Sequence, residues 1–393
     1  LAQAAAAPPP ATAAPLTLAG IDLTAHRLLL AGGAFADTRL QVAAVAGGLQ
    51  VRVDGADLAG SLSVPDADGA PVAGRFARLY WTPAAAPPDP QAAPPPVADI
   101  QGDGVDPSAM PPLSLQIDDL RLGQAGLGQA QLKTRRVAGG LKIEQLQIRA
   151  PKQRIDVSGD WLGDAARART AIRLHLDSKD GGALLDGLGF GHQLRGGEGT
   201  LDLDVQWPGG PASFALARLQ GGLKVDSRNG ALLEVEPGAG RVLGLLSIAQ
   251  LPRRLMFDFR DFFSKGFSFN KVTGQVRFEA GQAHTDDLLI DGPAAQIRIS
   301  GSADLRAQQY DQTIHVEPRA GNLLTVVGAV AGGPVGAAVG AAANAVLSKP
   351  LGQIGAKTYH VTGPWKEPKV DVVEHEDKPV PAQEAPTPQV QSQ

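Results

Sequence analysis

The 393-residue chain contains no cysteine, which removes disulfide frameworks and thiolate metal sites and leaves the redox compartment undecided. Aromatic residues amount to only 5%, so any extended apolar surface must be built from Leu, Val, Ile and Ala. Neither sign of charge dominates: 36 Lys and Arg face 40 Asp and Glu, and no long basic block occurs. Nucleic acid needs a basic stripe to neutralise phosphates, so it is set aside as a partner. Catalytic patterns are missing as well. The seven histidines are scattered, and HExxH, CxxC, P-loop and GxSxG sequences do not occur. Gly187-x-Gly189-x-Gly191 lacks the spacing and setting of a dinucleotide loop. Asp66-Ala-Asp68-Gly69 lacks the further oxygen ligands of a calcium loop and reads as a turn. His284 with Asp286, Asp287 and Asp291 is the densest acid and histidine cluster, and between alternating strands it reads as a solvated hairpin. The expectation is a protein without enzymatic activity, cofactor or metal.

What the chain does have is period-two alternation, and 43% hydrophobic residues to supply a buried surface. Leu49, Val51 and Val53 alternate with Gln50, Arg52 and Asp54. Leu201, Leu203, Val205 and Trp207 alternate with Asp202, Asp204 and Gln206. Ile172, Leu174 and Leu176 alternate with Arg173, His175 and Asp177. Neighbouring side chains of a strand point to opposite faces, so each run predicts one apolar and one wet face. Gly-Gly, Asp-Gly and Asn-Gly punctuation between the runs favours antiparallel meanders over a parallel α/β sheet. Weak repeats fit a body of similar stacked units. Val45-Ala-Gly-Gly-Leu-Gln-Val51 recurs as Val137-Ala-Gly-Gly-Leu-Lys-Ile143 and more loosely as Leu219-Gln-Gly-Gly-Leu-Lys-Val225. Ile155-Asp-Val-Ser-Gly159 recurs as Ile297-Arg-Ile-Ser-Gly301.

Proline-rich composition marks linkers at 1–15 and 82–112, and the tail 374–393 reads as disordered. Between them the expected segments are a sheet over 16–81, a β body over 113–239, a helical Phe-rich element over 240–269, more sheet over 270–319, a Gly/Ala-rich helical hairpin over 320–350 and a terminal strand over 351–373. The first residue is Leu1 and no signal peptide follows, so a fragment or processed chain is expected, with any targeting element upstream.

Two segments invite a membrane. Phe257, Phe259, Phe262, Phe263, Phe267 and Phe269 account for six of the chain's 11 Phe and lie beside Arg253, Arg254, Arg260 and Lys265. Such a mixture suits an interfacial element on anionic headgroups, and equally a cap on the end of a β body. Ala320–Ser348 is uncharged throughout, with Gly328, Gly332, Gly336 and Gly340 at four-residue spacing. It fits a membrane-contacting hairpin or a helix packed on the sheet. Leu243, Leu246, Phe257, Phe259, Phe262, Phe263, Leu323, Leu324, Val327 and Val330 are the membrane-proximal candidates.

From Gly199 onward a resemblance emerges. Trp207-Pro-Gly-Gly-Pro211, Pro237-Gly-Ala-Gly-Arg-Val-Leu-Gly-Leu-Leu246, Leu251-Pro-Arg-Arg-Leu255, Asp258-Phe-Arg-Asp261 and Lys265-Gly-Phe267 resemble the C-terminal region of YhdP-type AsmA-like proteins. Asp291-Gly-Pro-Ala-Ala295, Ile299-Ser-Gly301, Gly332-Gly-Pro334 and Tyr359-His-Val-Thr-Gly-Pro-Trp365 with Pro368 extend the likeness. The resemblance implies a mainly β fold: a long, curled antiparallel groove with a few short helices near its C-terminal end. It implies a bridge anchored in the inner membrane by an N-terminal helix outside this sequence, crossing the periplasm toward the outer membrane. Its implied cargo is phospholipid, its role the permeability barrier, and its further partners other envelope proteins. Leu201, Leu203, Val205, Val276, Phe278, Ile297 and Ile299 would then line the groove. The 82–112 insertion is foreign to the family pattern and questions the groove's continuity there. An assembly factor for outer-membrane proteins, as in the TamB branch, is the alternative reading. A carbohydrate-binding β protein is a third, and the chain lacks the paired carboxylates and aromatic platforms it would need.

Overall fold

The structure is a computed structural model that describes residues 20–30, 33–82, 105–190, 193–233, 267–319, 356–365 and 368–373. Its sheet opens with β1 (Gly20–Leu30), β2 (Gly33–Val45), β3 (Gly48–Asp54), β4 (Leu58–Pro65) and β5 (Val72–Trp81). It continues through β6 (Leu113–Leu122), β7 (Ala125–Val137), β8 (Gly140–Arg149), β9 (Gln153–Leu162), β10 (Arg169–Ser178), β11 (Leu194–Pro208) and β12 (Gln220–Leu232). Strands β13 (Phe267–Glu279), β14 (Gln282–Asp291), β15 (Ala295–Asp304), β16 (Gln309–Pro318), β17 (Lys357–Pro364) and β18 (Lys369–Val373) complete it. All 18 belong to a single sheet in which each strand pairs with the next in the chain, so β1 and β18 form its edges and it stays unclosed.

Register explains why the alternating runs become this sheet. Ile172, Leu174 and Leu176 of β10 face Val205, Leu203 and Leu201 of β11, so apolar meets apolar on one face and Arg173 meets Asp204 on the other. A slip by one residue would turn every apolar side chain to water, which fixes the pairing. Hairpins supply the repeats seen in the sequence. Val45 and Val137 each precede a two-residue turn, with Gly47 at φ 84° and Gly139 at φ 80°. The third, looser copy behaves differently. Its Gly221 and Gly222 lie inside β12, after a short 3-10 turn at Leu216–Arg218. Gly159 and Gly301, which end the second repeat, sit where the adjacent backbone comes close. A Cβ there would meet Ala171 O at 2.1 Å and Asp311 O at 2.4 Å.

One pair breaks the antiparallel rule: β5 and β6 run parallel, Val72 beside Leu113. A parallel neighbour needs a crossover, and the Pro-rich stretch provides the length to bring the chain back to the same end. The sheet therefore runs through this point without interruption. From β6 onward the strand ends joined in the steps β10–β11, β12–β13 and β16–β17 all lie on one long rim. The first carries a helix missed in the sequence, α1 (Gly181–Gly187), capped by the Asp180 carboxylate accepting from the Ala183 amide at 3.1 Å. Gly187 lets it approach Ala125 of β7, since a Cβ would lie 2.6 Å from the Ala125 Cα. The other two connections include 234–266 and 320–355, which lie outside the described residues.

Two expectations change. Phe267 and Phe269 open strand β13 and are buried, so they do not belong to a helical element. The stretch 351–373 contains two strands, β17 and β18. The core divides into two clusters, one around Phe35, Leu58, Phe76 and Ile117, the other around Phe269, Ile290, Ile297 and Tyr359.

Candidate functional site

Direct cross-strand pairing carries an apolar row straight across the sheet. Ile21 pairs with Val42, Val42 with Val51, Val51 with Leu62, and Leu62 with Gly74. The parallel step hands the row to Leu115, which pairs with Leu132, then Leu146, Val157 and Leu174. Leu203, Leu223 and Val276 follow. A second row runs beside it, two residues along each strand, through Phe76, Ile117, Ala130, Ile148, Ile155, Leu176, Leu201 and Val225. The first row ends at Val276. Beyond the bulge between Thr273 and Arg277, Leu288 stands opposite Gly274, the partner of Val225, so it is the second row that runs on through Ile299, Ile314 and Tyr359. At about 4.8 Å per strand, the part from β2 to β12 is on the order of 50 Å long. It offers no hydrogen-bonding side chain.

Exposure along these rows is uneven. From Val42 to Leu223 the members of the first row are half-buried, as are Leu176, Leu201 and Val225 of the second, whose earlier members from Phe76 to Ile155 are buried. Val276, Leu288, Ile299, Ile314 and Tyr359 retain only 5, 2, 4, 4 and 0% exposure. Each half-covered aliphatic side chain gains roughly 1 kcal/mol when an apolar ligand completes its burial. The half-open row is thus a surface that favours an elongated apolar occupant without selecting it by polar contacts.

All seven residues expected to line a groove share this face. Leu203 and Val276 lie on the first row with Leu223 between them, and Leu201 lies on the second. Val205 and Phe278 flank Gly221. Ile297 sits between Ile290 and Val316. Only Leu201 and Leu203 are half-open, and the other five are buried. The half-open members on earlier strands, including Leu62, Leu115, Leu132 and Leu146, were not singled out from the sequence, although the same alternation marks them. Leu243, Leu246, Phe257, Phe259, Phe262, Phe263, Leu323, Leu324, Val327 and Val330 lie outside the described residues. Among the described residues no helix is long and apolar enough to cross a membrane.

The opposite face is charged and internally paired. Arg173 bonds Asp204 at 3.1 Å, His175 bonds Asp202 at 2.6 Å, and Arg277 bonds Asp286 at 2.7 Å. A shallow trough of about 620 Å³ runs between two rows of these side chains, with Arg173, Asp204 and Arg277 on one wall and His175, Asp202 and Lys224 on the other. Arg149 holds the Asp156 carboxyl below its ordinary range, and Arg298 does the same to Glu317. The His284 cluster resolves into separate pairs. His284 bonds Asp286 at 2.8 Å, Asp287 accepts from the Gln275 amide at 2.8 Å, and Asp291 pairs with Arg319. Asp68 of the calcium-like tetrapeptide pairs with Arg136 at 2.9 Å in the β4–β5 turn, where Gly69 adopts φ 75°.

An unclosed sheet, apolar across one face and salt-bridged across the other, defines an open β-groove protein. The chain belongs to the YhdP family, whose model, described as YhdP protein, matches residues 2–370. Over 221 residues it is 29% identical to the intermembrane phospholipid transporter YhdP of Escherichia coli (strain K12), covering 56% of this chain and 18% of that protein. The match therefore spans less than a fifth of that relative's length. No solved structure matches the chain significantly.

Proposed function

We propose that the apolar face holds phospholipid acyl chains and that this chain is part of a bridge that passes phospholipid between the inner and outer membranes, supporting the permeability barrier. The observation that carries the reading is the half-open apolar row from Val42 to Leu223, to which every strand except β5, with Gly74, contributes a Leu or Val. Acyl chains match it because they are long, apolar and make no hydrogen bonds, and headgroups would stay in water at the rim. The relative's activity supports the same cargo. Movement would be passive sliding along a surface with no polar stops, its direction set elsewhere. On this reading the chain resides in the envelope and acts by binding rather than by catalysis. The charged face opposite keeps the sheet soluble while the groove is loaded.

The test is lipid extraction from the purified chain, followed by transfer from fluorescent donor vesicles of phosphatidylethanolamine and phosphatidylglycerol. The wild-type chain should carry and transfer lipid, and Leu203→Asp should lose both while keeping its melting transition. A wild-type chain that neither carries nor transfers lipid would contradict the reading.

A further inference from the structure

We infer that the lipid-bearing part of the face stops at the step from β12 to β13, so that β13–β17 form a closed terminal cap and not a continuation of the conduit. This rests on the lipid reading above and adds where the path ends.

Three observations support it. First, exposure changes on both rows at the same step. On the first, Leu223 of β12 is half-buried and its partner Val276 of β13 is buried; on the second, Leu201 and Val225 are half-buried, and beyond Gly274 Leu288, Ile299, Ile314 and Tyr359 are all buried. Second, the filling changes in kind. From Val42 to Leu223 the first row holds Leu, Val and Gly74, whereas Phe267, Phe269, Phe278, Tyr310 and Tyr359 join Ile290 and Ile297 in one cluster, which reaches back before the boundary to Val205 and Trp207 of β11. Interiors pack at crystal-like density, so an acyl chain can enter there only if that cluster parts. Third, the rows are displaced just beyond the boundary, whereas the register shifts at β4–β5 and between β6 and β9 leave them in line. Bulges interrupt β13–β14 between Thr273 and Arg277 and β14–β15 between Thr285 and Leu288. Bulges bend strands and increase local twist, which re-aims side chains. Here the backbone at Gly274 lies so close that a Cβ would sit 2.7 Å from the Leu288 Cα. Tyr310 stacked on Trp365, with ring centroids 5.9 Å apart, adds an aromatic pair on β16 and just past the end of β17. A lipid travelling from β2 would therefore leave the face sideways, over a rim, before β13.

The experiment uses the unsubstituted chain and a phospholipid bearing a diazirine at the end of one acyl chain. After loading from vesicles and irradiation, adducts are mapped to residues by mass spectrometry. Adducts should cluster on the open row, around Leu62, Leu115, Leu146 and Leu174. Yield at Ile299 and Ile314 should be roughly tenfold lower, the ratio expected from losing about one side chain's worth of apolar contact. Comparable yield at Ile299 and Ile314 would overturn the stop at β13 and leave the lipid reading standing. Adducts nowhere on the apolar face would overturn the lipid reading itself. A second measurement guards the boundary: Leu223→Trp, which extends the cap by one strand, should shift the last adduct toward Leu174, and an unchanged map would count against it.

Discussion

Strands β2–β12 and β13–β17 share one alternation, one apolar face and, apart from the parallel β5–β6 step, antiparallel pairing, yet the first group leaves the row from Val42 to Leu223 half-open and the second buries Val276, Leu288, Ile299, Ile314 and Tyr359. Binary pattern is common to both. What differs is the company the rows keep: Phe267, Phe269, Phe278, Tyr310 and Tyr359 gather in the cluster of the second group, whereas the first group, with Phe35 and Phe76 in its own cluster, leaves the row from Val42 to Leu223 partly uncovered. Period-two patterning decides which face is apolar, and the packing of neighbouring side chains decides how much of it stays exposed. The N-terminal edge shows the open extreme, with Leu29 and Leu30 of β1 exposed at 61% and 47%.

The comparison can be broken most easily with a charge. Ile297→Asp places a carboxylate where exposure is 0%, and should cost about 4 kcal/mol or more, seen as loss of the urea transition. Leu174→Asp makes the same chemical change in the open part, where the carboxylate can reach water. It should cost about 1–2 kcal/mol and act mainly on lipid carriage. Equal destabilisation by the two would erase the distinction. Next in size, Phe269→Ala should cost about 3–5 kcal/mol by urea titration, because it leaves a cavity in packed surroundings. Leu62→Ala should cost only about 1 kcal/mol, because part of that side chain already faces outward.

The smallest effect is a pH dependence at the free edge. Arg39, and then Gln41, hydrogen-bond Asp22 of β1 and hold its carboxyl down to about 2. An unfolded Asp titrates near 3.9. The pairing thus contributes fully above about pH 4 and is lost as pH falls through about 2. Amide exchange in β1, corrected for the intrinsic rate, should rise between pH 4 and pH 2. Asp22→Asn should flatten that dependence and raise exchange slightly at pH 7. Because the pair is exposed, added salt should shrink the difference.

Much of the fold was legible because alternation is local. Leu201, Leu203 and Val205 announce both strand and face with no help from distant residues. The parallel β5–β6 step was not legible, since composition marks Pro-rich residues as a linker without saying which end of the sheet they return to. Helix α1 escaped because its seven residues are too few for a helical period, and only Asp180 with the following glycines hints at a cap. Of the candidate site, the shared face was readable from Leu203 and Val276. The difference between half-open Leu203 and buried Ile299 was not, because both sit in identical alternating contexts and only neighbouring strands separate them.

The absence of cysteine offers the most direct test. Single cysteines introduced in turn at Leu62, Leu146, Leu174, Val276, Ile299 and Ile314 report access to the apolar face through their rate of thiol alkylation in the lipid-free chain. Leu62→Cys, Leu146→Cys and Leu174→Cys should react readily, and Val276→Cys, Ile299→Cys and Ile314→Cys only on unfolding, with the break between β12 and β13. Uniform rates across the face, or fast reaction at Ile299→Cys and Ile314→Cys in a folded chain, would contradict a face that is open in one part and closed in the other.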